Sequence, residues 1–332
     1  MSALPAFDLA EPTCAEDAVA LKSRHPTARF LGGGTDLVPN LRHGIGAPDV
    51  LISLAKIPEL KKFGEQHGSL VIGAGVTVAT LERSALLHEH YPAIAMAAAS
   101  IAGPAHRVMA TVGGNLCLDT RCVFYNQSTW WRAANNYCLK KDGDTCHVAK
   151  KGTQCIAAYS GDLAPALLVH AAQVEIATAS GRQRRPLVDI FRDDGQFYLD
   201  LDPADLIVAV HLPARPQWRS AYLKSRIRRS LDFPLAGVAA AMRCEGQAIT
   251  SLAVAITGTN SRPVLLQGLQ ALSGMPLGEP LLKALGKIVS DGIQPMRTTL
   301  VPSLYRRHMA GVLARRLVSQ LYTNGNRPSF KE

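Results

Sequence analysis

The chain has 332 residues, of which 47% are hydrophobic and 19% charged, enough apolar content to bury a core and too much for a disordered chain. Lys plus Arg exceed Asp plus Glu by 36 to 26, a formal +10 that favours acidic partners without by itself implying nucleic acid. The longest apolar stretch, 93–105, is broken by Gly103 and Pro104 and falls short of the roughly 20 residues of a bilayer span; the N-terminal run MSALPAFDLAEPT shows no basic or apolar leader, so a cytoplasmic, thiol-reducing location is expected.

Thr13-Cys14-Ala15-Glu16 has the form of a capping box and predicts a helix over about 14–24. Ala28 to Leu31 reads as a strand that runs into Gly32-Gly33-Gly34-Thr35-Asp36, followed by a helical turn from Leu37 to Arg42. Asp49 to Leu54 and Leu70 to Ile72 read as strands, and Leu81 to His88 and Tyr91 to Ser100 as helices, an alternation that suggests α/β organisation. A second glycine turn follows at Thr111-Val112-Gly113-Gly114-Asn115. Residues 119–160 then lose all periodicity and read as an irregular insertion that needs a clamp other than a core. Regular patterning returns at Leu163 to Val169, Val174 to Ala177 and Leu206 to Leu212. Pro213 to Pro216 read as a linker to a C-terminal domain that starts near residue 216. There, Tyr222 to Arg226, an Ala-rich run from Leu235 to Met242, a strand from Ile249 to Ile256 and helices near 278–290 and 303–321 are expected.

The two glycine turns each follow an apolar run and end in a small polar residue. Successive N–H groups freed of side chains form an anion nest, and a diphosphate held between two such nests would suit an extended dinucleotide such as FAD. Two plain structural turns explain the pattern as well. Neither turn is a Walker motif or the dinucleotide fingerprint G-x-G-x-x-G.

Four of the seven cysteines, Cys122, Cys138, Cys146 and Cys155, fall within 34 residues, spaced C-x15-C-x7-C-x8-C. In a reducing compartment such crowding favours metal over disulfide. Four thiolates are the ligand set of a 4Fe–4S cluster, but the short knuckles typical of zinc and ferredoxin-type sites are missing. Iron–sulfur, zinc and ordinary buried thiols therefore all remain open from the residues alone. His147 is a further candidate ligand or a surface side chain. Cys14 and Cys244 read as core or surface thiols, and Cys117 as a packing or ligand-adjacent one.

Arg29-Phe30-Leu31-Gly32-Gly33-Gly34-Thr35-Asp36-Leu37 resembles the first FAD pyrophosphate loop of the molybdenum hydroxylase flavoproteins, the medium FAD subunits of the xanthine and carbon monoxide dehydrogenase family. Ile101-Ala102-Gly103 through Ala110-Thr111-Val112-Gly113-Gly114-Asn115-Leu116 resembles their second loop, and Ser160 to Leu167 the segment after it. Tyr222 to Pro234, with Lys224 and Asp232, is similar to the start of the family's C-terminal domain, and Tyr305-Arg306-Arg307-His308 with Gly311-Val312-Leu313 to its last helix. The resemblance implies an α+β chain. A PCMH-type FAD-binding fold of two α/β subdomains (about 1–58 and 59–215) would be followed at 216–325 by a domain with a small antiparallel sheet packed on helices. It further implies FAD contacts from Arg29, Phe30, Leu31, Gly32, Gly33, Gly34, Thr35 and Asp36, from Ile101, and from Thr111, Gly113, Gly114 and Asn115. Asp162, Ile207 and Lys224 would add to these. Ile207 is otherwise a core residue and Lys224 a surface lysine.

Most members have a short turn where this chain has residues 119–160. A cysteine-bearing insertion at that place resembles the 4-hydroxybenzoyl-CoA reductase branch, which implies a 4Fe–4S cluster on Cys122, Cys138, Cys146 and Cys155 besides FAD. The chain would then be an electron-transfer subunit with no acid, base or nucleophile of its own. Reduced ferredoxin would be the donor. A large molybdenum-cofactor subunit and a small 2Fe–2S subunit would complete a dimer of heterotrimers that removes the phenolic hydroxyl of 4-hydroxybenzoyl-CoA. Between Arg121 and Cys155, Arg121, Arg132, Lys140, Lys141, Lys150 and Lys151 outnumber Asp142 and Asp144, which suits an acidic ferredoxin or simply a solvated loop. Trp130 and Trp131 would shield the cluster or pack the loop. The alternatives are an ordinary molybdenum hydroxylase flavoprotein that hands electrons to NAD or quinone, and a zinc-stabilised basic module that binds nucleic acid. The arginine pairs at 228/229, 306/307 and 315/316 are expected to face solvent or a sister subunit rather than nucleic acid; no membrane contact is expected.

Overall fold

The computed structural model describes residues 4–66, 68–214, 217–228, 231–297 and 301–325. Arg215 and Pro216 of the expected linker, and Arg229 of one arginine pair, lie outside the described residues. Strands β1 (Asp8–Ala10), β2 (Arg29–Leu31) and β3 (Val50–Ser53) form a small parallel sheet in the order β1-β3-β2, with helix α1 (Ala15–Arg24) and the short α2 (Leu37–Arg42) between them. Strand β2 delivers the chain to Gly32 at the open end of this sheet.

A second, antiparallel sheet follows. It begins with β4 (Phe63–Gln66) and β5 (Ser69–Gly73), and leads into five short helices: α3 (Val78–Arg83), α4 (Ala85–His90), α5 (Pro92–Ser100), α6 (Pro104–Arg107) and α7 (Val112–Leu116). The insertion contributes only α8 (Thr129–Ala134), and α9 (Leu163–Leu168) brings the chain back. Strands β6 (Gln173–Thr178), β7 (Gly181–Pro186) and β8 (Leu206–Pro213) complete the sheet in the order β4-β5-β8-β6-β7. The single helix expected over Leu81 to His88 is two. Ser84 sits between them, and its Oγ accepts from Leu87 N at 3.3 Å to start α4.

The third sheet, β9 (Arg219–Ser225), β10 (Ala236–Glu245), β11 (Ala248–Thr257) and β12 (Val264–Leu265), is antiparallel in the order β12-β11-β10-β9. Two helices cover it, α10 (Glu279–Gly292) and α11 (Ser303–Gly325). Buried Leu281, Leu285 and Val289 on α10, and Ala310, Leu313, Ala314, Leu317, Val318 and Leu321 on α11, recur at helical spacing and form one apolar stripe each. The Ala-rich β10 has both faces covered. Ala236, Val238, Ala240 and Met242 join the core under α10 and α11, while Ala239 and Ala241 join the core of the preceding sheet. Small side chains let α5 and α9 approach the sheet from that second side. The seam between the two halves is thus a packed interior. One arginine expected at the surface is part of it: Arg306 is 7% exposed and its guanidinium donates to Gly258 O at 2.8 Å, because α11 turns it toward the sheet. Among the described residues no helix is long and apolar enough to cross a membrane.

Candidate functional site

The first glycine turn leaves β2 in a half-exposed loop. Gly34 has φ +69°, a left-handed conformation that a side chain disfavours. Among the described residues the backbone N–H groups of Gly32, Gly33, Gly34, Thr35 and Asp36 find no acceptor within the protein. The Asp36 carboxylate does not cap α2; it accepts from Asn40 Nδ2 at 3.0 Å and pairs with the Arg121 guanidinium from the start of the insertion. Arg121 also lies over the Phe233 ring, 4.6 Å from its centroid. Arg29 is exposed, and Phe30 and Leu31 are half-buried.

The second turn is the start of a helix. Thr111 is the N-cap of α7, its Oγ1 accepting from Gly114 N at 3.1 Å. Val112 N donates to Val76 O at 3.0 Å, Gly113 N to Ala74 O at 2.8 Å and Asn115 N to Thr111 O at 2.9 Å. Asn115 ties this turn to α9, its Oδ1 accepting from Leu163 N at 3.0 Å. The two turns touch. A Cβ on Gly33 would stand 1.6 Å from Met109 O, and one on Gly32 would stand 2.9 Å from Thr111 Oγ1. Glycine at 33 is therefore a requirement of chain against chain.

Ile101 ends α5 and is 7% exposed. The bend after it is held by Arg107, whose Nη1 donates to the Ile101 and Ala102 carbonyls, each at 3.0 Å, while its Nε and Nη2 grip Glu82 at 2.8 and 3.0 Å. Nothing in the local sequence singled out Arg107. Asp162 and Lys224 meet in the seam. Tyr222 Oη donates to Asp162 Oδ1 at 2.5 Å, and Lys224 Nζ donates to Oδ2 at 3.0 Å and to Ser100 O at 3.1 Å. Burial raises the Asp162 carboxyl, and the Lys224 ammonium and Tyr222 hydroxyl oppose that rise. Lys224 is no surface lysine: its side chain is 4% exposed. Ile207 is 3% exposed in β8, opposite Ile176, and belongs to the core.

In the insertion, Cys122, Cys138, Cys146 and Cys155 all line one cavity, together with Phe124, Tyr125, Leu139, Lys140, His147, Val148, Ile156 and Ala157. All four thiols are free, and Cys138, Cys146 and Cys155 are buried. Ala149 N donates to Cys146 Sγ at 3.4 Å and Ala157 N to Cys155 Sγ at 3.5 Å. Burial pushes the Cys155 thiol up to about 11 and raises Cys122 as well. Among the described residues no group of three or more His, Cys, Asp or Glu is arranged to hold a metal ion. The loop is fastened to its surroundings by buried Arg132, which donates to Gly44 O at 2.9 Å, and by Lys140. His147 stacks on Phe124 at 5.0 Å, Trp131 packs on the same ring at 5.9 Å, and Trp130 is 78% exposed. Cys117 follows α7; burial pushes its thiol up to about 12, which fits a packing role.

Residues 5–215 match the FAD binding domain in molybdopterin dehydrogenase, and residues 220–321 match the CO dehydrogenase flavoprotein C-terminal domain. The chain belongs to the FAD-binding subunits of the molybdenum hydroxylases. It is 26% identical over 308 residues to the xanthine dehydrogenase FAD-binding subunit of Escherichia coli, covering 92% of each chain. It is 26% identical over 318 residues to the carbon monoxide dehydrogenase medium chain of Afipia carboxidovorans, covering 95% of this chain and 96% of that one. The fold is that of the CO dehydrogenase from Oligotropha carboxidovorans, with a TM-score of 0.79 at 24% identity over 97% of this chain and 99% of that one. This molybdenum hydroxylase subunit is thus part of an oxidoreductase, built on an FAD binding domain. Sequence reading singled out its two glycine turns and the cysteine quartet. It missed Arg107, Glu82 and Tyr222, and counted Arg121 and Lys140 only as surface charge. Each of these acts through partners far away in sequence.

Proposed function

We propose that this subunit holds FAD with Arg29 to Asp36 around the diphosphate and neighbouring ribose, with Thr111, Gly113, Gly114 and Asn115 closing the other side and Ile101 against a ring. The unpaired N–H groups of Gly32 to Asp36 support this reading, since a diphosphate supplies the acceptors they lack. FAD, when bound, exchanges electrons singly or in pairs. Asp162 keeps lone pairs for a further donor beyond Tyr222 and Lys224, and Lys224 supplies a fixed positive charge behind it. Strand β8 supports the second loop from the core: Ala74, which accepts from Gly113 N, itself donates to Val208 O at 2.8 Å, next to Ile207 in the sequence.

We further propose a 4Fe–4S cluster on Cys122, Cys138, Cys146 and Cys155, making this the β subunit of a 4-hydroxybenzoyl-CoA reductase. The observation that carries it is that all four free thiols line one cavity with an apolar wall. The donor set fits such a cluster: four sulfurs, N–H groups on two of them, and no carboxylate on the wall. Such a cluster supplies one electron at a time. The subunit would take electrons from reduced ferredoxin and serve a molybdenum subunit and a 2Fe–2S subunit in a dimer of heterotrimers. The "medium chain" name of the CO dehydrogenase relative supports a multi-chain assembly. A second reading, a flavin subunit without the cluster serving another acceptor, is favoured by the xanthine and CO dehydrogenase relatives.

Anaerobic purification with flavin and iron counts separates the two. About four iron per flavin supports the cluster, and flavin without iron leaves the second reading. Cys138→Ser is expected to lose the iron and keep the flavin; full iron content in that variant overturns the ligand assignment.

A further inference from the structure

Lys140 lies on the wall of the cysteine cavity and is almost wholly buried, its side chain 5% exposed. Its ammonium has more acceptors than it has protons. Nζ reaches Asp119 Oδ1 at 2.7 Å, Gly195 O at 2.9 Å and Thr120 O at 3.3 Å, with Thr120 Oγ1 closer still. The Tyr125 and Tyr198 rings flank it at 4.5 and 5.7 Å. The charge is thus fixed in place. It also lies close behind one sulfur. Gly195, whose carbonyl it holds, donates its N–H to Cys155 O at 2.7 Å, and a Cβ on Gly195 would stand 2.9 Å from Cys155 Sγ. On the other side Asp119 and Thr120 lie three and four residues past the end of α7, and Tyr198 Oη donates to Cys117 O at 2.8 Å. Lys140 therefore stands between the cysteine cavity and the second glycine turn.

We propose that Lys140 and Asp119 form a buried charge pair that sets the reduction potential of a cluster held by the four cysteines, Lys140 raising it and Asp119 lowering it. The inference rests on the cluster reading above. One-electron reduction makes a cluster more negative and changes no bond in the protein. A fixed cation at its edge stabilises the reduced form, and a carboxylate beyond that cation partly cancels the effect. Low polarity on the cavity wall strengthens both contributions. Asp119 is the more exposed partner, 20% against 5%, so the cation dominates at the cavity.

The test is a potentiometric titration of the cluster signal in the anaerobically purified complex, with iron counted in every sample. Lys140→Met is expected to shift the midpoint downward, a tenfold fall in the reduced-to-oxidised ratio at fixed ambient potential being about 59 mV for one electron. Asp119→Asn is expected to shift it upward, and Lys140→Arg to stay near the parent. Full iron with no shift, or shifts of the same sign in Lys140→Met and Asp119→Asn, overturns the proposal, because a merely structural pair gives no opposite signs. If Lys140→Met loses its iron, Asp119→Asn decides: an upward shift supports the proposal, and none or a downward one overturns it. Parent protein with flavin and no iron would instead overturn the cluster reading itself.

Discussion

The two glycine turns look alike in sequence, yet the fold leaves them in opposite states. In Gly32 to Asp36 five backbone N–H groups have no acceptor among the described residues, and the loop is half-exposed. In Val112 to Asn115 all four are tied to the protein, to Val76, Ala74 and Thr111. The first turn is an open donor surface and the second is a brace. Gly33 presses on Met109 O and so holds the open turn at a fixed distance from the braced one. Behind the brace, Asn115 grips α9, and Asp162 and His170 at the two ends of α9 reach β9 through Tyr222, Lys224 and Ser220. A rigid wall and an open nest together suit a long anionic ligand better than two open nests would, because less ordering is left for binding.

The contrast can be broken most directly at the contact between the turns. Gly33→Val is expected to destabilise the protein by about 3 kcal/mol or more and to abolish flavin retention, since the Met109 backbone has no room to yield. Gly32→Ala meets only the Thr111 side chain and is expected to be milder. Flavin content after gel filtration and thermal unfolding read both.

Acid should weaken the brace and spare the open turn. His170 is 5% exposed, sits edge-on to Tyr91 at 5.4 Å, and burial lowers it to about 4. The unfolded chain takes up a proton there below about pH 6.5, while the folded chain does so only near pH 4. Stability therefore falls as pH drops through that window, by about 3 kcal/mol in all. Urea unfolding across pH 4–7 is expected to show this slope, and His170→Phe to flatten it; an unchanged slope would remove His170 as its source.

The smallest effect sharpens the comparison. Thr111→Val removes the N-cap of α7, at about 1 kcal/mol, and is expected to lower the melting temperature by a few degrees and to weaken flavin retention. Flavin held as tightly as in the parent would remove the Thr111 hydroxyl from the proposed FAD contacts.

Local signals carried most of the fold. The strand before the first glycine turn, the largely apolar α5 and the striped α10 and α11 follow from residue type and periodicity. The misses have long-range causes. The capping box placed the cap at Thr13, but Cys14 Sγ accepts from Asp17 N at 3.5 Å, and Glu16 is held by Arg182 of β7, 166 residues on. Strand β7 itself, Gly181–Pro186, is a charged edge with no apolar alternation to reveal it.

The sequence by itself determined where the backbone is free of side chains, which thiols crowd into one segment and which faces must be buried, because these depend on residue type and near-neighbour spacing. Tertiary structure alone decided which glycine turn keeps its N–H groups open, that Asp162 meets Lys224, and that Lys140 lies behind Cys155. Those outcomes depend on partners brought together across 20 to more than 60 residues, and pairing of buried charges and donors is settled only when the elements pack.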